Sequence, residues 1–278
     1  MTPLRSFVSA IKTTFTNVRA LAVFAVLYAL LLVSSYFFIS TREATMWQVV
    51  VTYALMILVP AEFFLFQASI INRVRDQKFH WRVIAIDALK FFITTIPVIL
   101  IAWLLYYLLN KLGSRFPAPV VTSLPIAQTT PKTQPVHWPS LIFATLRFVL
   151  LGVATPLALI HLWIAVAGSE IRIWIDEGPG SFLKRIGTAL ARGFASDSVL
   201  VYGLGLILFF ALPYVVLFVP FSPKGNKTDF VVFILRLLLA YLFSLIGWIV
   251  TVSTLAKRTP DPEPAMAVAI AKPAEAAA

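Results

Sequence analysis

The sequence predicts an all-α polytopic membrane protein: six transmembrane helices built as three tandem units, each an interfacial amphipathic helix followed by two spans. Three observations carry that prediction. Hydrophobic residues make up 60% of the 278 and charged residues only 13%, where soluble domains carry about 25% charged. Apolar runs recur at about 20–40, 47–71, 91–110, 140–168, 198–220 and 230–256, and crossing roughly 30 Å of hydrocarbon takes about 20 helical residues. A basic stretch, a polar break and a long apolar run also repeat three times in the same order. The membrane domain is expected over 1–258, in units of about 1–75, 76–172 and 173–258, with a C-terminal tail at 259–278.

In the first unit, Leu4, Phe7, Ile11, Phe15 and Val18 recur at helical spacing, while Arg5, Ser9, Lys12, Thr16 and Arg19 mark the opposite face. That is the pattern of a helix with one oily and one charged side. Thr16–Asn17 then offers side-chain oxygens to the free N–H groups of a new helix. The first apolar run is too long for a signal-peptide core, and only "SSYFFISTREAT" follows it, so it is read as a retained span. The return span contains "VPAEFFLFQASIINRVRD", which places Glu62 among phenylalanines.

Three stretches align on an alanine: "LRSFVSAIKTTFTNVRALAVF" on Ala10, "WRVIAIDALKFFITTIPVILI" on Ala88 and "FLKRIGTALARGFASDSVLVY" on Ala189. Thr94–Thr95 and Ser196–Asp197 hold the place of Thr16–Asn17. The second amphipathic pattern is the weaker, since Arg82, Asp87 and Lys90 interrupt a largely apolar run; in the third, Phe182, Ile186, Leu190 and Phe194 oppose Arg185 and Arg192. Such helices are expected to lie in the interface with basic faces among phosphates; the alternative is that each is only the lower end of a long spanning helix. The return spans "ATLRFVLLGV" and "FILRLLLAYL" both carry Leu-Arg near the outer end, at Arg147 and Arg236, whereas "VVVTYALMIL" of the first unit has no arginine there. Prolines fall inside four spans, at Pro60, Pro97, Pro156 and Pro213, where each frees a carbonyl and can kink the helix. Gly203 and Gly205 would let helices approach closely. The stretch 111–139 holds a run of prolines and is expected as an external loop, and the Ala/Pro-rich tail 259–278 as disordered.

The net charge of +11 is unevenly placed: 15 Lys and Arg fall on the N-terminal side of the six crossings, against 6 on the other. Basic loops stay cytoplasmic, which predicts a multi-pass protein of a bacterial inner membrane with both termini inside. Anionic headgroups account for the basic pI without nucleic acid. The expected headgroup contacts are Arg5, Lys12, Arg19, Arg82, Lys90, Lys184, Arg185 and Arg192. Membrane lipids are therefore the expected partners, together with a membrane protein or a second copy of the chain.

The intramembrane polar residues are Glu62, Arg147, Arg236 and His161. At 1.5 Å per residue Glu62 lies about 22 Å from the outer end of its span and the two arginines about 10–12 Å. A charge at that depth normally faces protein or water. The arginines are expected to snorkel or to meet a carbonyl, Glu62 to bond a neighbouring helix or to serve as a proton or cation site, and His161 to sit at an interface beside Trp163. With no cysteine, no G-x-x-x-x-G-K-[ST], no H-E-x-x-H and no G-x-S-x-G, neither a metal nor a cofactor is expected, and no catalytic set. "DEGPGS", Asp176 to Ser181, reads as a turn launching the third amphipathic helix or as a phosphate-holding helix start.

At "GPGSFLKRIGTALARGFASDSVLVYGLGLILFFALPYVV" the chain resembles bacterial six-span proteins of unassigned role, and the membrane domain attached to some glycerophosphodiester phosphodiesterases. The matching residues are Gly178, Gly180, Ala189 and Phe194. The catalytic domain of that family is absent from the sequence, so the resemblance implies a membrane module and no reaction. The expectation is a non-enzymatic protein that organises or binds lipid or a membrane partner; the alternative is a transporter or channel for a small or amphiphilic solute centred on Glu62.

Overall fold

The computed structural model of the chain describes residues 3–42, 45–76, 78–117, 137–167, 178–220 and 226–258, with the side chains at 178, 179, 181–183, 185, 186, 190 and 226 left aside. The Pro-rich stretch is described only at its two ends. Its middle, 118–136, lies outside the described residues, as do the tail 259–278 and Asp176 and Glu177 of "DEGPGS".

Among the described residues six helices are long and apolar enough to cross a membrane, and they account for all six apolar runs. The chain is an all-α polytopic membrane protein. In order, α1 is Pro3–Thr16, α2 Val18–Ser40, α3 Met46–Asp76 and α4 Trp81–Gly113. Helix α5 is Trp138–Val166, α6 Gly178–Gly193, α7 Ser196–Phe218 and α8 Asn226–Arg258. All but α1 and α6 are the spans.

The three polar breaks meet three different fates. Between α1 and α2 the Asn17 side chain accepts from the Ala20 N–H at 3.2 Å, so the asparagine caps the new helix. At Thr94–Thr95 there is no break: α4 runs unbroken for 33 residues, about 50 Å at the helical rise. The expected separate interfacial helix of the second unit is therefore the lower end of a long helix. Thr94 Oγ1 explains why, because it donates back to the Lys90 and Phe91 carbonyls of the preceding turn at 2.9 and 3.2 Å. A hydroxyl satisfied that way has no reason to cap a new helix. Between α6 and α7 a break exists, but its N-cap is Ala195, and no side chain caps the helix. Ser196 and Asp197 fall inside the first turn instead of before it.

The intrahelical prolines also divide. Pro60 and Pro97 lie within uninterrupted α-helix. Pro156 and Pro213 each follow a stretch of π-helix, Val149–Ala154 and Ile207–Ala211. Widening the helix just before the ring relieves its clash with the carbonyl four residues back. For Pro213 that carbonyl is Phe209, and Ser244 of α8 supplies a donor to it at 3.2 Å.

The chain forms two compact units, Met1–Thr94 with Leu157–Ala278, and Thr95–Pro156. In the larger unit the core sits at one end, where α3, α5 and α8 finish and α2, α4 and α7 begin. Phe66, Ile70 and Ile71 of α3, Ile84 and Phe91 of α4, Leu157 to Ile164 of α5 and Leu245 to Leu255 of α8 supply its fully buried side chains. Trp163 anchors it against the rings of Phe63, Phe64 and Phe91, each centroid 5.9 Å away. Ala10, Ala88 and Ala189, on which the three sequence stretches align, are 1%, 6% and 4% exposed. Toward the other end the large apolar side chains turn outward, among them Val33, Phe37 and Ile39 of α2, Trp47, Tyr53 and Ile57 of α3 and Phe230, Phe233 and Leu237 of α8. In water such a surface would far exceed the few hundred Å² a soluble monomer tolerates; against lipid it is the ordinary exterior. The smaller unit packs Phe116 on Phe143 as stacked rings 6.0 Å apart.

Candidate functional site

Lipid is as apolar as a leucine side chain, so burying oily groups between spans drives little association; close packing and hydrogen bonds must hold the helices. Around α8 both are present. A Cβ on Gly247 would stand 2.7 Å from the Phe209 backbone nitrogen, and one on Gly205 would stand 2.9 Å from Thr251 Cβ. Gly205 thus makes the close contact expected of "GLG", while Gly203 has open space around it. Trp248 Nε1 donates to Gln67 Oε1 at 2.9 Å and Tyr241 Oη to the Ala25 carbonyl, which ties α8 to α3 and α2.

The four intramembrane polar residues are distributed as follows. Glu62 accepts a hydrogen bond from Ser34 Oγ of α2 at 3.1 Å, and its second oxygen, Oε2, is buried without a hydrogen-bond partner among the described residues. Arg236 donates from Nη2 to the Val219 carbonyl at 2.8 Å, so its charge meets the negative end of α7. Arg147, in the smaller unit, lies against Gly113, where a Cβ would come within 3.2 Å of Nη2; its Nε is buried without a partner. His161 is enclosed by protein: it is 5% exposed, its Nε2 stands 3.1 Å from Ser198 Oγ of α7, and its Nδ1 is buried with no hydrogen-bond partner among the described residues.

The expected headgroup residues divide as well. Arg5, Lys12, Arg19, Arg82, Lys184 and Arg192 are exposed, and the Arg185 side chain lies outside the described ones. Lys90 does not face outward: 13% exposed, it pairs through Nζ with Asp87 Oδ1 at 2.8 Å. Asp87 is fully buried and also accepts from Asn72 Nδ2 at 2.9 Å. A buried carboxylate needs that pairing, so Lys90 is bound to the core. The α1 apolar face is only partly used: Phe7 and Ala10 are buried, while Leu4 and Phe15 are exposed, as is Val18 at the start of α2.

Arg75, one basic residue among many in the sequence, donates to the Ile164 carbonyl at 2.8 Å and to the Ala167 carbonyl. It therefore closes the C-terminus of α5, where helix carbonyls lack donors.

The structure brings two of the named residues together. His161 of α5 and Arg192 of α6 line one pocket of about 280 Å³ with Ala195, Asp197 and Ser198 at the start of α7 and with Leu255 and Arg258 at the end of α8. Arg258 Nη2 is 3.1 Å from Asp197 Oδ2. Two further pockets flank it around the last turn of α8: one of about 340 Å³ shares Lys257 and Arg258 with Ser6 and Ser9 of α1, and one of about 210 Å³ brings Lys257 near Arg73. This end of the larger unit thus carries a basic, partly hollow surface. Sequence spacing placed Arg192 and His161 in separate classes, and nothing in the pattern marked Ser198 or Arg258. Among the described residues no three His, Asp or Glu side chains converge as metal ligands. No known family model matches this chain, and neither a curated protein nor a solved structure matches it.

Proposed function

We propose that this is a non-enzymatic protein of the bacterial inner membrane, multi-pass with both termini cytoplasmic, whose basic end binds anionic lipid headgroups and organises lipid or a membrane partner around the bundle. The observation that carries this reading is the exposed basic set Arg5, Lys12, Arg19, Arg82, Lys184 and Arg192 on the side that holds 15 of the Lys and Arg. Cations beside an anionic leaflet are attracted by about 1 kcal/mol each. The exposed Leu4 and Phe15 of α1 and Val18 at the start of α2 supply apolar surface for the acyl boundary beside Arg5, Lys12 and Arg19. The resemblance to bacterial six-span proteins and to the membrane domain of glycerophosphodiester phosphodiesterases belongs to the same proposal. Mass spectrometry of lipid retained by the purified protein tests it. Phosphatidylglycerol should be enriched over phosphatidylcholine, and the triple variant Arg5→Gln, Lys12→Gln, Arg19→Gln should lose part of that enrichment. Equal retention of both lipids by the wild type would overturn the reading.

A second reading is favoured by one observation. The buried, partnerless Oε2 of Glu62 is an acceptor held inside a span, which suits a transporter or channel in which a proton, a cation or a solute donor engages it. In proteoliposomes, Glu62→Gln would then abolish flux of the transported species. Equal flux in both proteins would remove Glu62 from any coupling role.

A further inference from the structure

We propose that the pocket between His161, Arg192, Ser198 and Arg258 is a binding site for a phosphate oxyanion, as carried by a phosphomonoester lipid headgroup or a soluble phosphate. The inference rests on the headgroup reading above and narrows it to one place. Three independent features of the pocket agree. Helix α7 opens there with Ala195 as its N-cap and no side-chain cap; the Ser198 N–H donates to the Ala195 carbonyl at 2.9 Å, and the preceding N–H groups of Ser196 and Asp197 with the helix dipole favour an anion. His161 is buried in its wall, with Nδ1 lacking any hydrogen-bond partner. When Ser198 Oγ donates to Nε2 across 3.1 Å, the ring proton sits on Nδ1, which leaves a buried donor without an acceptor in the pocket wall. Arg192 lines the same pocket and can offer a planar fork of donors to phosphate oxygens.

The wall also holds one carboxylate, Asp197, and its charge opposes an anion. It is offset by Arg258, whose Nη2 lies 3.1 Å away. With Arg192 added, the described residues lining the pocket keep a cationic excess even with His161 neutral. Leu255 and Ala195 supply apolar wall, and Phe194, Val199 and Leu200, near in sequence to lining residues, are exposed. Exposed oily residues so close along the chain suit a headgroup whose chains stay in the membrane, and for that reason the lipid source is the favoured one.

The test uses the full chain in an uncharged detergent and follows its thermal midpoint against a short-chain phosphatidic acid, inorganic phosphate and a short-chain phosphatidylcholine. Phosphatidic acid should raise the midpoint saturably and phosphatidylcholine should not. Arg192→Gln, at an exposed position, should weaken the binding about tenfold, the range for a charged hydrogen bond lost. Asp197→Asn should tighten it, because a negative charge leaves the wall; this opposite sign is a result that a purely structural role for these side chains would not give. If inorganic phosphate binds as well as phosphatidic acid and responds to the same variants, the site stands and its ligand is a soluble phosphate. Should phosphatidic acid bind equally to wild type and both variants, the pocket is overturned while general headgroup binding survives. If the wild type shows no preference for the anionic lipid at all, both readings fall together.

Discussion

Gly205 and Gly247 are positions where a single methyl group decides the packing of two spans. At Gly247 the added Cβ would press on the Phe209 backbone nitrogen, and at Gly205 on the Thr251 side chain. Neither the Phe209 backbone nor the fully buried Thr251 side chain, met at Cβ, Cγ2 and Oγ1 together, can swing aside, so Gly247→Ala and Gly205→Ala should each lower stability by about 1–3 kcal/mol. Gly203→Ala is the control: its Cβ meets nothing within 4 Å, and alanine gains helix propensity of about 1 kcal/mol over glycine. Thermal midpoints of the three purified variants in one detergent would rank them. At the same scale Lys90→Met should cost about 3 kcal/mol, since it leaves the buried Asp87 carboxylate with only Asn72. A midpoint unchanged by that substitution would show the pair to be dispensable.

Helix ends and interruptions are handled by side chains that come from other helices. Arg75 of α3 closes α5, Arg236 of α8 closes α7, and Ser244 of α8 serves the carbonyl that Pro213 strips of its donor. Each is an interhelical bond, and for Ser244, inside its span, no water stands by to substitute. Ser244→Ala should nonetheless cost only about 0.6 kcal/mol, the usual worth of such a bond between spans. Arg75→Gln should cost more, about 2 kcal/mol, because the bonds it loses are charge-assisted. If both variants unfold at the same temperature, the helix-closing role assigned to Arg75 is not supported. The unbroken α4 belongs at this scale too. Replacing Thr94 by a residue that cannot bond back to Lys90 and Phe91 would not by itself create a second helix, since capping needs a break in the backbone as well.

For the whole molecule, the arrangement of basic and apolar surface predicts an orientation. The chain has no cysteine, so single cysteines report topology without background. In spheroplasts, Ser6→Cys and Lys184→Cys should resist a membrane-impermeant maleimide, and Ser114→Cys should react. Labelling of Lys184→Cys from outside would reverse the orientation, and with it the assignment of the basic pockets to the anionic leaflet.

Much of this was legible along the chain because the bilayer imposes it. Length and hydropathy determine where a span can be, so all six runs found their helices, and Asn17 could be recognised as a cap because capping is a local bond. Glu62 and Arg236 could be singled out by type and depth, since charged groups in hydrocarbon are rare whatever surrounds them. The tertiary structure alone decided their partners: Ser34 for Glu62, the Val219 carbonyl for Arg236, Asp87 for Lys90, and the meeting of His161 with Arg192, Ser198 and Arg258. Those pairings depend on which faces of separate helices are turned together, a geometry set by glycine contacts and proline-linked π-turns between distant positions. A one-dimensional pattern of oily and polar residues records each helix's period, and it holds no term for the rotation of one helix against the next.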